Sequence, residues 1–170
     1  MDSKLFRNAL GCFASGVTVV TMRKAGEGDH GMTASAFSSL SLDPPLILVC
    51  VQNTNQTHGM LEAAGHFAVN VLSREQETLS NRFAGGIVDA DGNWTPWPVE
   101  RDKFEDLSFQ RGADCGGAAL LEGSLAQLEC QLEAVLPGGD HGIFVGRVVT
   151  AHVGAGDPLL YAQGRYRHLA

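Results

Sequence analysis

The sequence predicts a mainly β protein: a closed or partly closed antiparallel barrel with a few short helices. Short runs rich in β-branched and apolar residues recur along the whole chain, separated by Gly, Pro, Asn and Asp clusters. Helical spacing is confined to brief stretches, so strands do not alternate with crossover helices as a doubly wound nucleotide fold requires. So many antiparallel strands would expose unpaired edges, and closure hides them. The chain has 170 residues, 44% of them hydrophobic and 18% charged. That suits one domain, residues 1–170, able to bury a core without staples, and it excludes a disordered or fibrous chain.

The elements follow in order. Leu5, Phe6, Ala9, Leu10 and Phe13 recur at helical spacing, with Ser3 available as a cap. "GVTVVTMR" reads as a strand, "KAGEGDHG" as a turn, and the first half of "GMTASAFSSLSLDPP", residues 31–45, as the returning strand. After Pro44 and Pro45, "LILVCVQ" is apolar on both faces and predicts a central strand. "NTNQTHGMLEAAG" opens with Asn and Thr caps, continues as a helix and closes at Gly65, and "HFAVNVL" is a further strand. Ser73 and Gln76 make a capping box for a helix over "REQETLSNRF". The Gly-, Pro- and Trp-rich stretch 84–104 has no clear period and reads as a long loop.

From residue 124, Ala126, Leu128, Cys130, Leu132 and Ala134 alternate with Gln127, Glu129, Gln131 and Glu133, which predicts a strand with one solvated face. "LPGGDHG" is a turn, "IFVGRVVTAHV" a strand and "PLLYAQGRYRHL" a last short one.

Composition narrows the function classes. A net charge of −7 without a dense Lys/Arg cluster argues against nucleic-acid and membrane-surface partners. Cys12, Cys50, Cys115 and Cys130 have neither metal-site nor disulfide-framework spacing, so no metal is expected and most of them read as buried thiols. The opening residues do not read as a signal peptide, which points to the cytoplasm. "GEGDHG", residues 26–31, fits a dinucleotide-binding Gly pattern, but no helix follows it and Glu27 and Asp29 would repel phosphate.

The segments "MTASAFSSLSLDPPLILVCV", Thr57-His58, "FAVNVLS", Arg82-Phe83, "GDH" at 139–141, "IFVGRV" and "PLLYAQGRYR", taken in this order, resemble the short-chain flavin reductases. These are the small reductase components of two-component flavin-dependent monooxygenases. The resemblance runs from about residue 5 to the C-terminus, and is poorest over 84–118. It implies an FMN-binding split β-barrel of Greek-key type, usually a homodimer, that binds FMN or FAD and reduces it with NADH or NADPH for a partner monooxygenase.

By that resemblance Thr33, Ala34, Ser35 and Ser38 line the flavin ring and ribityl chain, where small residues let backbone amides approach a polar ring edge. An ordinary Ser/Thr-rich turn is the plainer account of the same run. Cys50 and Val51 would lie beside the ring, and Asn53 and Thr57 would reach the phosphate; Thr57 also serves as a helix cap. Asn70, Val71 and Leu72 are carried over as further contacts, against a core strand with one paired Asn. Arg82, next to Phe83, could neutralise a phosphate or be an exposed helix charge. His141 falls at the family's GDH motif and would contact the nicotinamide, while His30, in the same tetrapeptide at 28–31, reads as a water-facing turn residue. Arg165 and Tyr166 are candidates for that pocket too, or belong to an amphipathic edge strand. An electron carrier with tightly held FMN and a non-catalytic flavin-binding barrel remain alternatives.

Overall fold

The computed structural model describes residues 1–169. In chain order the elements are α1 (Ser3–Gly11), β1 (Ser15–Gly16), β2 (Thr18–Lys24), β3 (Gly28–Ala34), β4 (Phe37–Leu42), β5 (Pro45–Gln52), α2 (Gln56–Ala64) and β6 (His66–Val71). A single 3-10 turn, Arg74–Gln76, leads into α3 (Glu77–Phe83). Then come β7 (Gly86–Val88), β8 (Trp94–Pro96), β9 (Phe109–Arg111), β10 (Ala119–Leu121), β11 (Ala126–Gly138), β12 (His141–Val153), β13 (Leu160–Ala162) and β14 (Arg165–Arg167).

Seven strands form one antiparallel sheet in the order β3-β2-β6-β11-β12-β5-β4. Its two outer strands, β3 and β4, are consecutive in sequence, so Ser35 and Ala36 carry the chain from one edge of the sheet to the other. The Cys50 amide donates to the Ala36 carbonyl at 3.0 Å across this junction. The sheet thereby curls into the expected split barrel, and its seam is the hydroxyl-rich run.

Alternation along β2 and β5 fills the interior. Val20, Met22, Ile47, Val49, Val51, Phe67, Val69 and Phe144 point inward, and α2 adds Met60 and Leu61. A second apolar cluster lies outside the barrel wall: Val17 and Val19 on the other face of β2 pack with Leu72, Phe83, Phe104, Leu121 and Leu159. The first five residues of β2 are therefore buried on both faces. Asn55 accepts the Thr57 amide at the N-terminus of α2, and Gly65 ends that helix in the left-handed conformation at φ 68°.

Several expectations need correction. The cap of α1 is Asp2, whose carboxylate accepts the Lys4 amide, because Ser3 is already helical. The capping box of Ser73 and Gln76 forms, but on the 3-10 turn that precedes α3. Stretch 84–104 contains the β7–β8 hairpin, and the last strand is itself a hairpin, β13–β14. Cys12 is exposed and Cys50 half-buried, so two of the four thiols are fully enclosed. Glu129 faces away from the barrel interior as its alternation requires, yet it is 3% exposed. The 112–118 loop covers it: its carboxylate accepts the Asp114 amide at 2.7 Å and lies 3.1 Å from His152 Nε2.

Candidate active site

A cleft of about 630 Å³ opens where the barrel seam meets α3 and the two small hairpins. The size falls in the range of small-molecule sites, roughly 300–1,000 Å³. Val17, Thr33 and Ser35 form its barrel wall, and Glu77, Ser80, Asn81 and Ala84 its helical wall. Their helical spacing of three, four and seven places these four on one face of α3. Val88 and Trp94 come from β7–β8, and Tyr161, Gly164, Arg165 and Tyr166 from β13–β14.

Hydrogen bonds lock these walls together. The Thr33 hydroxyl donates to the Ser80 carbonyl at 2.6 Å, tying the seam to α3. The Tyr166 hydroxyl lies 2.8 Å from Ser80 Oγ and 3.1 Å from Asn81 Oδ1, tying β14 to the same helix. Burial raises the Tyr166 pKa, so its phenol stays protonated and donates. Tyr161 meets Tyr166 edge to face at 5.4 Å between centroids. The cleft thus pairs a strip of hydroxyl, amide and backbone groups with aromatic walls, an environment suited to a flat heteroaromatic ring with a polar edge.

Four of the sequence-named residues, Thr33, Ser35, Arg165 and Tyr166, meet in this cleft. Ala34 is buried in the barrel beside them. Ser38 is exposed on β4, outside the lining, with its hydroxyl on its neighbour's carbonyl. Cys50 is half-buried on the outer face of β5, whereas Val51 is fully buried in the barrel, so its side chain is core.

Asn70 is also core. Its amide nitrogen lies within hydrogen-bonding reach of the Val19 and Ala119 carbonyls and the Thr21 hydroxyl, and its oxygen accepts the Leu121 amide, which leaves its side chain engaged by the protein itself. Leu72 and Phe83 are buried in the outer cluster, and Val71 is half-buried. The side chains of Asn70 and Leu72 are thus taken up by the protein interior, whereas that of Val71 is only half-buried.

The remaining named residues lie elsewhere. Asn53 donates to the Gly139 carbonyl at 3.1 Å and so braces the β11–β12 turn against the end of β5. His141, at that turn, is half-buried with Nδ1 2.8 Å from Asp140 Oδ1, and its backbone pairs with Gln52. Arg82 leaves α3 toward the Trp-rich segment, where its guanidinium sits 4.4 Å from the Trp97 ring centroid and donates to the Glu105 carbonyl.

The expectation for His30 is overturned. It lies within strand β3, half-buried, with Nε2 2.8 Å from the Thr57 hydroxyl, which is itself buried. Burial, then the nearby Lys103 charge, lowers its pKa. Identical tetrapeptides have received different environments because α2 packs over the first.

Residues 10–170 match the family described as flavin reductase like domain. The chain belongs to this family. It is 42% identical over 165 residues to the 4-hydroxyphenylacetate 3-monooxygenase reductase component of Thermus thermophilus, covering 96% of this chain and 95% of that protein. It is 39% identical over 165 residues to the FMN reductase (NADH) of Agrobacterium fabrum, covering 97% and 85%. It spans about half (48%) of a probable flavin reductase of Rhizobium meliloti, at 38% identity over 97% of this chain. Among solved structures, the NADH:FAD oxidoreductase of Streptomyces globisporus superposes with a TM-score of 0.87 at 38% identity, covering 99% of this chain and 94% of that one.

Within this flavin reductase domain, sequence reasoning missed Ser80, Asn81, Ala84, Trp94 and Tyr161. Only the face shared by Ser80 and Ala84 could have been read locally, from the capping box that sets the phase of α3. Among the described residues no group of His, Cys, Asp or Glu side chains is arranged to hold a metal ion, and no helix is long and apolar enough to cross a membrane.

Proposed function

We propose that this chain is the reductase component of a two-component flavin-dependent monooxygenase, passing a hydride from NADH or NADPH to FMN or FAD and releasing reduced flavin to the oxygenase. Family membership over nearly the whole chain supports the reaction class. The observation that carries the reading is the cleft in which seam residues Thr33 and Ser35 face Trp94, Tyr161 and Tyr166.

When bound, the flavin and nicotinamide supply the redox chemistry, so the protein must chiefly hold two flat rings close and exclude water. Thr33, committed to Ser80, sets the cleft width. Ser35 presents small polar groups at the seam, and Tyr166 closes one wall without acting as a base. His141 is assigned to the nicotinamide, and Asn53 holds the turn that carries it. We place the protein in the cytoplasm, where reduced nicotinamide nucleotides are available, and assign it a homodimeric state.

Steady-state NADH oxidation with added FMN or FAD tests this reading. A reductase gives saturable dependence on free flavin, a tight-FMN electron carrier gives little, and a binding protein gives no turnover. A folded Ser35→Leu variant should weaken flavin affinity about tenfold or more, because an overpacked seam strikes the ligand before the core. Unchanged affinity would remove the seam from the site.

A further inference from the structure

One phenol oxygen in the cleft wall meets two side chains. Tyr166 Oη lies 2.8 Å from Ser80 Oγ and 3.1 Å from Asn81 Oδ1. A phenol carries one proton, and an amide oxygen can only accept. Two oxygens at 3.1 Å with no proton between them would repel, so the Tyr166 proton goes to Asn81 Oδ1. The shorter contact is then made by the proton of Ser80, whose hydroxyl donates onto the phenol oxygen. Burial raises the Tyr166 pKa and the bond to Ser80 partly offsets it, as a hydroxyl donating onto that oxygen does.

This proton order settles which way the Asn81 amide faces. With Oδ1 held by Tyr166, Nδ2 and both of its N–H bonds point away from the tyrosine. No protein group accepts from them among the described residues. Asn81 is half-buried and lines the cleft, so these are donors held in one orientation and left for a ligand. Their place is set by the seam as well, because Ser80, one residue earlier, is fully buried and its carbonyl accepts the Thr33 hydroxyl at 2.6 Å.

We propose that Asn81 donates its amide N–H groups to a carbonyl oxygen on the polar edge of the flavin ring, and that Tyr166 is the positioning residue that keeps this amide from turning over. The proposal rests on the reductase reading for the identity of the ring. The bond from Thr33 to Ser80 ties the amide to the seam assigned to the flavin, which makes the flavin and not the nicotinamide its target. A free amide would also present its oxygen to the ring carbonyl, acceptor against acceptor. The phenol proton removes that alternative before the ligand arrives, so less orientational freedom is lost on binding.

The test is equilibrium titration with riboflavin, which carries the ring without a charge, and with FMN, followed by flavin fluorescence. Wild type is compared with Asn81→Leu, Asn81→Asp and Tyr166→Phe, with unfolding midpoints as the control for folding. Asn81→Leu keeps the branched shape without the donors and should weaken both flavins about tenfold. Asn81→Asp keeps the acceptor for Tyr166 but turns a second acceptor toward the ring carbonyl, and should weaken them about a hundredfold. A merely structural role gives the reverse order, since Asn81→Asp preserves the bond to Tyr166 and Asn81→Leu breaks it. Tyr166→Phe should weaken binding about threefold in wild type and have almost no effect in Asn81→Leu, because the tyrosine acts through the amide. The reversed order, an equal effect of Tyr166→Phe in both backgrounds, or flavin affinity within about twofold of wild type in a folded Asn81→Asp overturns the proposal, even if the KM for NADH rises. A wild-type protein that binds flavin but oxidises neither NADH nor NADPH would sink the reductase reading alone, and one that binds neither riboflavin nor FMN would overturn both.

Discussion

His141 and His30 show how far a single residue's role depends on its cover. If His141 positions the nicotinamide, His141→Ala should lower NADH-dependent flavin reduction on the order of tenfold to a hundredfold, with flavin binding unchanged. His30→Ala should act on stability instead, because it strands the buried Thr57 hydroxyl, at a cost of about 1–3 kcal/mol by denaturant titration. The pH dependence has a definite sign. The folded pKa of His30 lies below its ordinary 6.5, so the unfolded chain takes up the proton first as pH falls. Stability from neutral His30 is full above about 6.5 and is lost as pH falls through the folded value. Melting temperatures between about pH 8 and pH 5 should fall further for wild type than for His30→Ala; parallel curves would dismiss this account.

At the level of elements, two glycines mark where strands are pressed together. A Cβ on Gly146 of β12 would overlap the Phe67 ring of β6 and crowd Cys130 on the neighbouring strand β11. Gly146→Ala should therefore destabilise the whole fold by about 1–3 kcal/mol through overpacking. A Cβ on Gly86 would overlap the Trp94 indole, so Gly86→Ala should open the β7–β8 hairpin and loosen the cleft. The expected contrast is a lowered global unfolding midpoint for Gly146→Ala, and weakened flavin binding with a near-native midpoint for Gly86→Ala. The strands, the helix at 56–64 and the Gly65 stop were legible because each is written in its own period and caps. The β7–β8 and β9–β10 hairpins were not, since three-residue strands are too short to show a period.

For the molecule as a whole, unpaired apolar surface points to a second copy. No residue of α1 is buried, Phe13 just beyond it is 81% exposed, and Leu42 on edge strand β4 is 95% exposed. Apolar residues at these positions are best covered by association. Light scattering at micromolar concentration should give twice the monomer mass, and Phe13→Asp or Leu42→Asp should shift it toward one copy. A fully active monomer would refute the homodimer.

The sequence by itself determined the period of each long strand, the helix stops, and, through ordered motifs, the flavin reductase family and its barrel. Glu129, Asn70 and His30 mark its limit. Alternation set which way Glu129 points, but the 112–118 loop that buries it comes from an element the local pattern cannot name. Asn70 is fixed by residues some fifty positions away on both sides, and His30 by α2. A residue's period is encoded locally, whereas its burial and partners depend on what distant chain is laid over it. Only the closed barrel therefore decided that Thr33, Ser35, Arg165 and Tyr166 share a cleft.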